Sequence, residues 1–246
     1  MDAVIIAAGY GSRLAALSPS KPLTPVCGVP LIEIGIRQAA AAGVTRVVVV
    51  TGHKAEAVEG FLAELAQRVT VEIEAVRVDD WSKPNGYSVM AGAARCAGEY
   101  LLMMADHMFD SAILAALRSV GGETRDVTLA IDRHTQSPLI DPDDATWVKL
   151  DAKGFITAIG KTIPAWDAVD CGAFLATPRL AEAIAAAIDA SKSGSLSDGM
   201  QWLADRGRAA TCDIGTAWWM DVDDPRAHTL AEELAPRYLT AAFAST

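Results

Sequence analysis

The chain of 246 residues is 51% hydrophobic and 21% charged, enough apolar material for a large core and too ordinary a charge content for a disordered chain. A formal net charge of −10 with no dense Lys/Arg cluster excludes broad electrostatic binding of nucleic acid, while small anions stay within reach of a few placed cations and a metal ion. Cys27, Cys96, Cys171 and Cys212 are widely spaced, with no C-x-x-C pair, which speaks against a zinc site or a disulfide framework and fits thiols in a reducing cytosol.

An apolar run at residues 3–8 predicts a first strand, followed by a glycine-containing loop. No basic stretch precedes that run, and no window approaches the ~18 apolar residues of a membrane span, so the expected location is cytoplasmic. Pro30 opens a helix that runs to about Ala42 and ends at Gly43. Residues 47–50 are a β-branched run of the kind buried on both faces of a parallel sheet. A helix is predicted over 54–67, an alternating strand over 69–76, a helix over 87–97 and an apolar strand over 100–105. Strand and helix in alternation mean βαβ units. A helix at 111–119 and a strand at 126–132 continue the pattern. Residues 133–170 differ, with short strands at 146–151 and 155–159 around the turn Asp151-Ala-Lys-Gly154. A strand near 171–176, helices at 178–190 and 196–205, strands near 209–214 and 217–222 and a helix begun by Asp224-Pro225 complete the chain. Without linker or repeat, the expectation is one domain over 1–246. Its class is α/β: a Rossmann-like mixed, mainly parallel sheet flanked by helices, with a small antiparallel insertion. Ligands of such sheets sit outside the carboxyl ends of the strands, so the loops after residues 7, 51, 76 and 105 are the places to search.

The first of these loops reads Ala7-Ala8-Gly9-Tyr10-Gly11-Ser12-Arg13-Leu14. Its glycines let backbone N–H groups approach a phosphate chain, and Arg13 offers a planar cation. Lys21 follows between prolines in Ser18-Pro-Ser-Lys21-Pro22-Leu23, which fix its direction. A dinucleotide fingerprint is not met, because Leu14 replaces the third glycine and the second strand ends Thr51-Gly52-His53 rather than in an acid. A Walker A loop is absent too. Read alone, Gly-x-Gly is equally a structural turn; joined to Arg13 and Lys-Pro-Leu it points to polyphosphate.

Ala7–Leu14 with Lys21-Pro-Leu-Thr-Pro-Val26 resembles the signature of the NTP transferase superfamily, the sugar-phosphate nucleotidyltransferases. Asp106 at the end of a core strand, Lys161 in Ile-Gly-Lys and Asp221 in Trp-Trp-Met-Asp-Val-Asp extend the similarity. Asn85-Gly86-Tyr87-Ser88, Ala105-Asp106-His107-Met108 and Val169-Asp170-Cys171-Gly172 resemble the CTP:inositol-1-phosphate cytidylyltransferases, with Cys171 where that group has threonine. The resemblance implies a nucleotide-diphospho-sugar transferase-like fold and an Mg²⁺-dependent transfer of CMP from CTP to inositol 1-phosphate. It also implies a membrane CDP-alcohol transferase that uses the product, either as a separate partner or as the other part of a fusion from which this chain is a domain. Transfer of a cytidylyl or another nucleotidyl group to phosphocholine, a phosphonate or a sugar 1-phosphate is the alternative reaction, and a non-catalytic nucleotide-binding domain is the alternative of another class.

Under the resemblance, Asp106 and Asp221 hold the metal, with Asp223 secondary. Read by themselves they are equally solvated or capping aspartates, and helix capping explains one of Asp223 and Asp224. Arg13 and Lys21 bind the NTP phosphates, and Ala7, Ala8, Gly9, Gly11 and Ser12 frame the nucleotide. Asn85, Gly86 and Ser88 face the substrates, although Asn85 also suits a turn and Ser88 a helix cap. Lys161 holds the acceptor phosphate or is a surface lysine. Asp170 accepts from an acceptor hydroxyl or satisfies a buried structural bond. His107 touches substrate. Trp218-Trp219 reads as packing rather than a platform for a base. The nucleophile is already an anion, so positioning and charge neutralisation suffice and no general base is required.

Overall fold

The computed structural model of the chain describes residues 1–121 and 125–243; residues 122–124 and 244–246, which the one-domain expectation also includes, lie outside the described residues. The strands are β1 (Asp2–Ala7), β2 (Pro25–Val26), β3 (Val29–Pro30), β4 (Arg46–Thr51), β5 (Glu72–Arg77), β6 (Tyr100–Met104), β7 (His107–Phe109), β8 (Val127–Asp132), β9 (Trp147–Leu150), β10 (Ile156–Gly160), β11 (Ala168–Ala176), β12 (Ala209–Asp213) and β13 (Trp219–Asp221). The helices are α1 (Leu31–Ala41), α2 (Ala55–Leu65), α3 (Asn85–Ala93), α4 (Ser111–Ser119), α5 (Arg179–Asp189), α6 (Leu196–Ala204), α7 (Pro225–Tyr238) and α8 (Thr240–Phe243).

Among the described residues, one sheet of nine strands runs β10-β9-β11-β6-β1-β4-β5, and β8 joins β11 and carries β12 on its other edge. β6, β1, β4 and β5 are parallel, as the strand–helix alternation requires. β11 is antiparallel to β6, β8 and β9, so the antiparallel insertion is a β9–β10 hairpin docked on the start of β11 and continuous with the main sheet. Val47, Val48, Val49 and Val50 are fully buried, each worth roughly 1.5–3 kcal/mol of transfer free energy.

Two apolar layers cover the sheet. Ile32 and Ile36 of α1, Val58 and Leu62 of α2 and Ile113 and Leu117 of α4 belong with Val47 and Val49 to the apolar layer on one face. Val89 of α3, Leu180 and Ile184 of α5 and Met200 and Leu203 of α6 belong with Val48 and Val50 to the layer on the other. A third cluster seats α7 and α8 against Val26 of β2 and Met220 of β13. The caps follow local chemistry: Asp110 accepts from Ala112 N–H, Ser195 and Asp198 form a capping box, and Asp224, not Asp223, caps α7 through Ala227 N–H at 2.8 Å.

Two differences from the sequence reading bear on the site. The helix expected over 87–97 is Asn85–Ala93, with Pro84 in the capping position, so Asn85 and Gly86 join Ser88 in its first turn rather than preceding it. The short strand His107–Phe109 was not foreseen; it pairs antiparallel with β13. No helix among the described residues is long and apolar enough to cross a membrane.

Candidate functional site

The pairing of β7 with β13 sets His107 opposite Asp221, and Val222 N–H donates to the Asp106 carbonyl at 2.9 Å. Two aspartates 115 positions apart in sequence are thereby neighbours at the carboxyl end of β6. His107 Nδ1 lies 2.8 Å from Asp106 Oδ1 and 3.7 Å from Asp221 Oδ1. Its ring stacks on Trp219 at 6.0 Å, and Trp219 Nε1 donates to Asp132 at 2.9 Å, so the platform is itself anchored. Behind the imidazole lies Gly172, at φ +75° in an irregular stretch of β11; a Cβ there would strike the ring.

The loop after β1 brings in the cations. Ala7 and Ala8 are buried at the strand end, while Gly9 and Ser12 are exposed. Gly11, at φ +61°, precedes a turn of 3₁₀ helix over Ser12–Leu14, and the stem of Lys21 passes where its Cβ would be. Glycine is required there both for the left-handed backbone and for the close approach. Lys21 starts a second 3₁₀ turn, Lys21–Leu23, stiffened by Pro22. Its ammonium, 12% exposed, donates to Asp106 Oδ2 at 2.5 Å and is ion-paired with Asp223. Arg13 bridges Asp144 and Asp223, at 2.5 Å to each. Lys161, just after β10, is paired with Asp144.

These contacts polarise the group. Burial works against the charge on Asp106, yet Lys21 and His107 together hold its carboxyl well below the usual range. Burial opposes the charge on His107 as well, but Asp221 and then Asp106 outweigh it and push the imidazole up to about 9. Burial raises Asp170 to about 6, partly offset by the Gly172 N–H that donates to it at 2.7 Å. Asp221 is raised, chiefly by burial and by the neighbouring charges of Asp106 and Asp144, against the pull of His107 and Lys21. The hydrogen bonds from Arg13 and Lys161 lower Asp144 despite burial, and Asp144 in turn raises Arg13.

The donor set fits a divalent ion. Carboxylate or imidazole atoms of Asp106, His107 and Asp221, and likewise of Asp144, Asp221 and Asp223, lie within 4.8 Å of one another. The buried Asp221 Oδ1 has no hydrogen-bond partner, which is the condition of an oxygen directed at a cation.

A cavity of about 240 Å³ runs from Asp106 and Asp221 to Lys161 and Asp170, with Asn85 on its wall. The structure therefore brings Arg13, Lys21, Asp106, His107, Lys161, Asp170, Asp221 and Asp223 to one place. Gly86 instead packs against the Gly194 carbonyl and Ile184, Asn85 accepts from Leu196 N–H at 2.8 Å, and Ser88 is buried in α3. Cys171 is fully buried in the apolar layer and does not line the cavity. Asp144 was missed: it bridges Arg13 and Lys161, but lies in Asp141-Pro-Asp-Asp144, where its only sequence signal is one of three acids in an irregular stretch.

Residues 3–198 match the family described as the MobA-like NTP transferase domain. A bifunctional IPC transferase and DIPP synthase from Rubrobacter xylanophilus is 32% identical over 235 residues, 95% of this chain and 52% of that one. A protein of the same description from Aquifex aeolicus is 32% identical over 226 residues, 91% and 49% of the two chains. The chain thus spans about half the length of these curated relatives. Among solved structures, the inositol-1-phosphate CTP transferase from T. maritima superposes with a TM-score of 0.82 over 98% of this chain and 95% of that one, at 22% identity, which shows a shared fold.

Proposed function

Because the chain belongs to the MobA-like NTP transferase domain family and is a nucleotidyltransferase, we propose that it joins CMP from CTP to inositol 1-phosphate, giving CDP-inositol and pyrophosphate. The observation that carries the reading is the convergence of Lys21, Arg13 and the carboxylates with Lys161 and Asp170 across one cavity. The identity of the acceptor is supported by the relatives, which are named as IPC transferases, and by the T. maritima neighbour, an inositol-1-phosphate CTP transferase.

An acceptor phosphate oxygen attacks the α-phosphorus of CTP in line. The new P–O bond forms as the bond between the α-phosphorus and the bridging oxygen breaks, and pyrophosphate leaves. Arg13 and Lys21 hold the triphosphate and stabilise charge that grows on the leaving group. Lys161 holds the acceptor phosphate. Asp170, aimed into the cavity, accepts from a polyol hydroxyl, and the backbone at Ala7, Ala8 and Gly9 frames the base. Asp106 and Asp221, with Asp223, would hold Mg²⁺, which supplies charge neutralisation to the phosphates when bound. No residue need take a proton, since the nucleophile is anionic at neutral pH.

Pyrophosphate release measured with Mg²⁺ across four NTPs and a panel of phosphorylated acceptors tests the reading. A signal confined to CTP with inositol 1-phosphate, lost in Asp106→Ala, is expected. A signal with another pair replaces the substrate, and silence from a folded protein overturns the activity.

A further inference from the structure

The sheet order divides the site into three parts. Asp106 and Lys21 sit beyond the ends of β6 and β1, in the middle. The cavity with Lys161 and Asp170 lies on the side of β9, β10 and β11. With the acceptor cavity on that side, the side of β4 and β5 is open to the nucleoside of a triphosphate held by Lys21 and Arg13. Three rings from three successive strand-end loops close that side. Tyr10 follows β1, His53 follows β4 and Trp81 follows β5. Ring centroids are 4.6 Å apart for Tyr10 and His53 and 5.0 Å for His53 and Trp81, both edge-to-face, and 6.0 Å for Tyr10 and Trp81.

None of the three rings belongs to the apolar layers or to the third cluster of the described residues. Tyr10 is 51% and Trp81 40% exposed, so packing of the fold does not account for them. The cluster is nevertheless held in place. His53 N–H donates to the Ala8 carbonyl at 2.9 Å, and Gly52 fits so closely under Trp81 and Ala8 that a Cβ would lie 2.7 Å from Trp81 Cβ and 2.9 Å from the Ala8 oxygen. Beside it the chain leaves room: a Cβ added at Gly9 would meet nothing within 4 Å.

We propose that Tyr10, His53 and Trp81 form the aromatic wall of the nucleoside subsite, with the rings of Tyr10 and Trp81 packing against the base above the open backbone of Gly9. The inference rests on the reading of Arg13 and Lys21 as triphosphate ligands. A π-face accepts any base, so the wall supplies affinity, and the choice among bases falls to the backbone of the first loop.

Calorimetric titration of the full chain with CTP and with inorganic tripolyphosphate, both with Mg²⁺, tests it. Trp81→Ala and Tyr10→Ala should each weaken CTP binding roughly 5- to 150-fold, the range of a single base–aromatic stack, and leave tripolyphosphate unchanged. Trp81→Phe should keep most of the affinity. Wild-type protein that binds CTP, with alanine variants that bind it equally well, overturns the wall alone; so does an equal loss for both probes. Wild-type protein that binds neither probe overturns the triphosphate reading, and the wall with it.

Discussion

Raising the pH from 6.5 to 9 in a chelator should destabilise the protein through His107. The imidazole is 15% exposed and lies 2.8 Å from Asp106 and 3.7 Å from Asp221. Burial alone would drive its proton off; the two carboxylates overcome that and raise the group from 6.5 to about 9. Below pH 6.5 the folded and unfolded chains both carry the proton, and the stabilisation is fully present. Between 6.5 and 9 the unfolded chain releases the proton while the folded chain keeps it, so the stabilisation fades, and above 9 it is gone. The rise from 6.5 to about 9 corresponds to about 3 kcal/mol. For a chain of this length that is roughly 6–12 °C in Tm. Thermal melts followed by circular dichroism at pH 6.5, 7.5 and 9 measure it, with His107→Gln as the reference. Wild type should lose stability across the window, and the variant should lose little. Parallel curves for the two proteins would refute the assignment of the ion pairs. Mg²⁺ engaged on Asp106 and Asp221 should flatten the wild-type curve, because it takes the carboxylates that hold the proton.

Gly172→Ala should cost about 2–4 kcal/mol in urea unfolding, from a side chain forced into the left-handed region and from displacement of the His107 ring; an unchanged midpoint would contradict the close approach. Lys161→Ala, at a residue 56% exposed, should leave stability within about 0.5 kcal/mol and raise the KM of the acceptor roughly 10- to 100-fold with CTP unaffected. An equal rise for both substrates would remove Lys161 from the acceptor phosphate. Asp221→Asn should fold normally and lose about 100-fold or more in pyrophosphate release, as should wild type in excess chelator until Mg²⁺ is restored; full activity in either case would show that no ion is held there.

The sheet was legible because its signals are local. The run Val47–Val50 declares a strand buried on both faces, and the Pro30 and Gly43 boundaries of α1 are set within a few residues. The first loop was legible for the same reason: Gly11, Arg13 and Lys21 lie within eleven positions, and the structure folds them into two adjacent 3₁₀ turns. Asp144 was not, because it comes to Arg13 across 131 positions and to Lys161 across 17, through a loop without periodicity. His107–Phe109 was hidden in another way. Three residues are too few to show alternation, and the strand exists because β13 returns beside it. α3 starts two residues earlier than the sequence predicts, because Pro84 stands in the capping position without a side-chain hydrogen bond that would mark the boundary, and Asn85 and Gly86 are turn formers by themselves. Tyr10, His53 and Trp81 stand alone in three loops and have no pattern until the loops meet.

The chain carries a formal charge of −10, yet the proposed ligands are anions, and the arrangement of charges resolves the conflict. Each of Arg13, Lys21 and Lys161 is engaged with a carboxylate: Arg13 with Asp144 and Asp223, Lys21 with Asp106 and Asp223, Lys161 with Asp144. Cations and carboxylates thus cancel at contact distance, and the distant acids act on a substrate only through water and salt, which screen them beyond ~10 Å. A bare triphosphate must pull Lys21 and Arg13 from their partners and leave the carboxylates facing it. A bare divalent ion must take those carboxylates and leave the cations unpaired. A metal-bound triphosphate satisfies both sets together, since the phosphates receive the cations that the ion releases from the carboxylates. On this reading the site selects the complex over either component, and the same side chains keep one another positioned before it arrives.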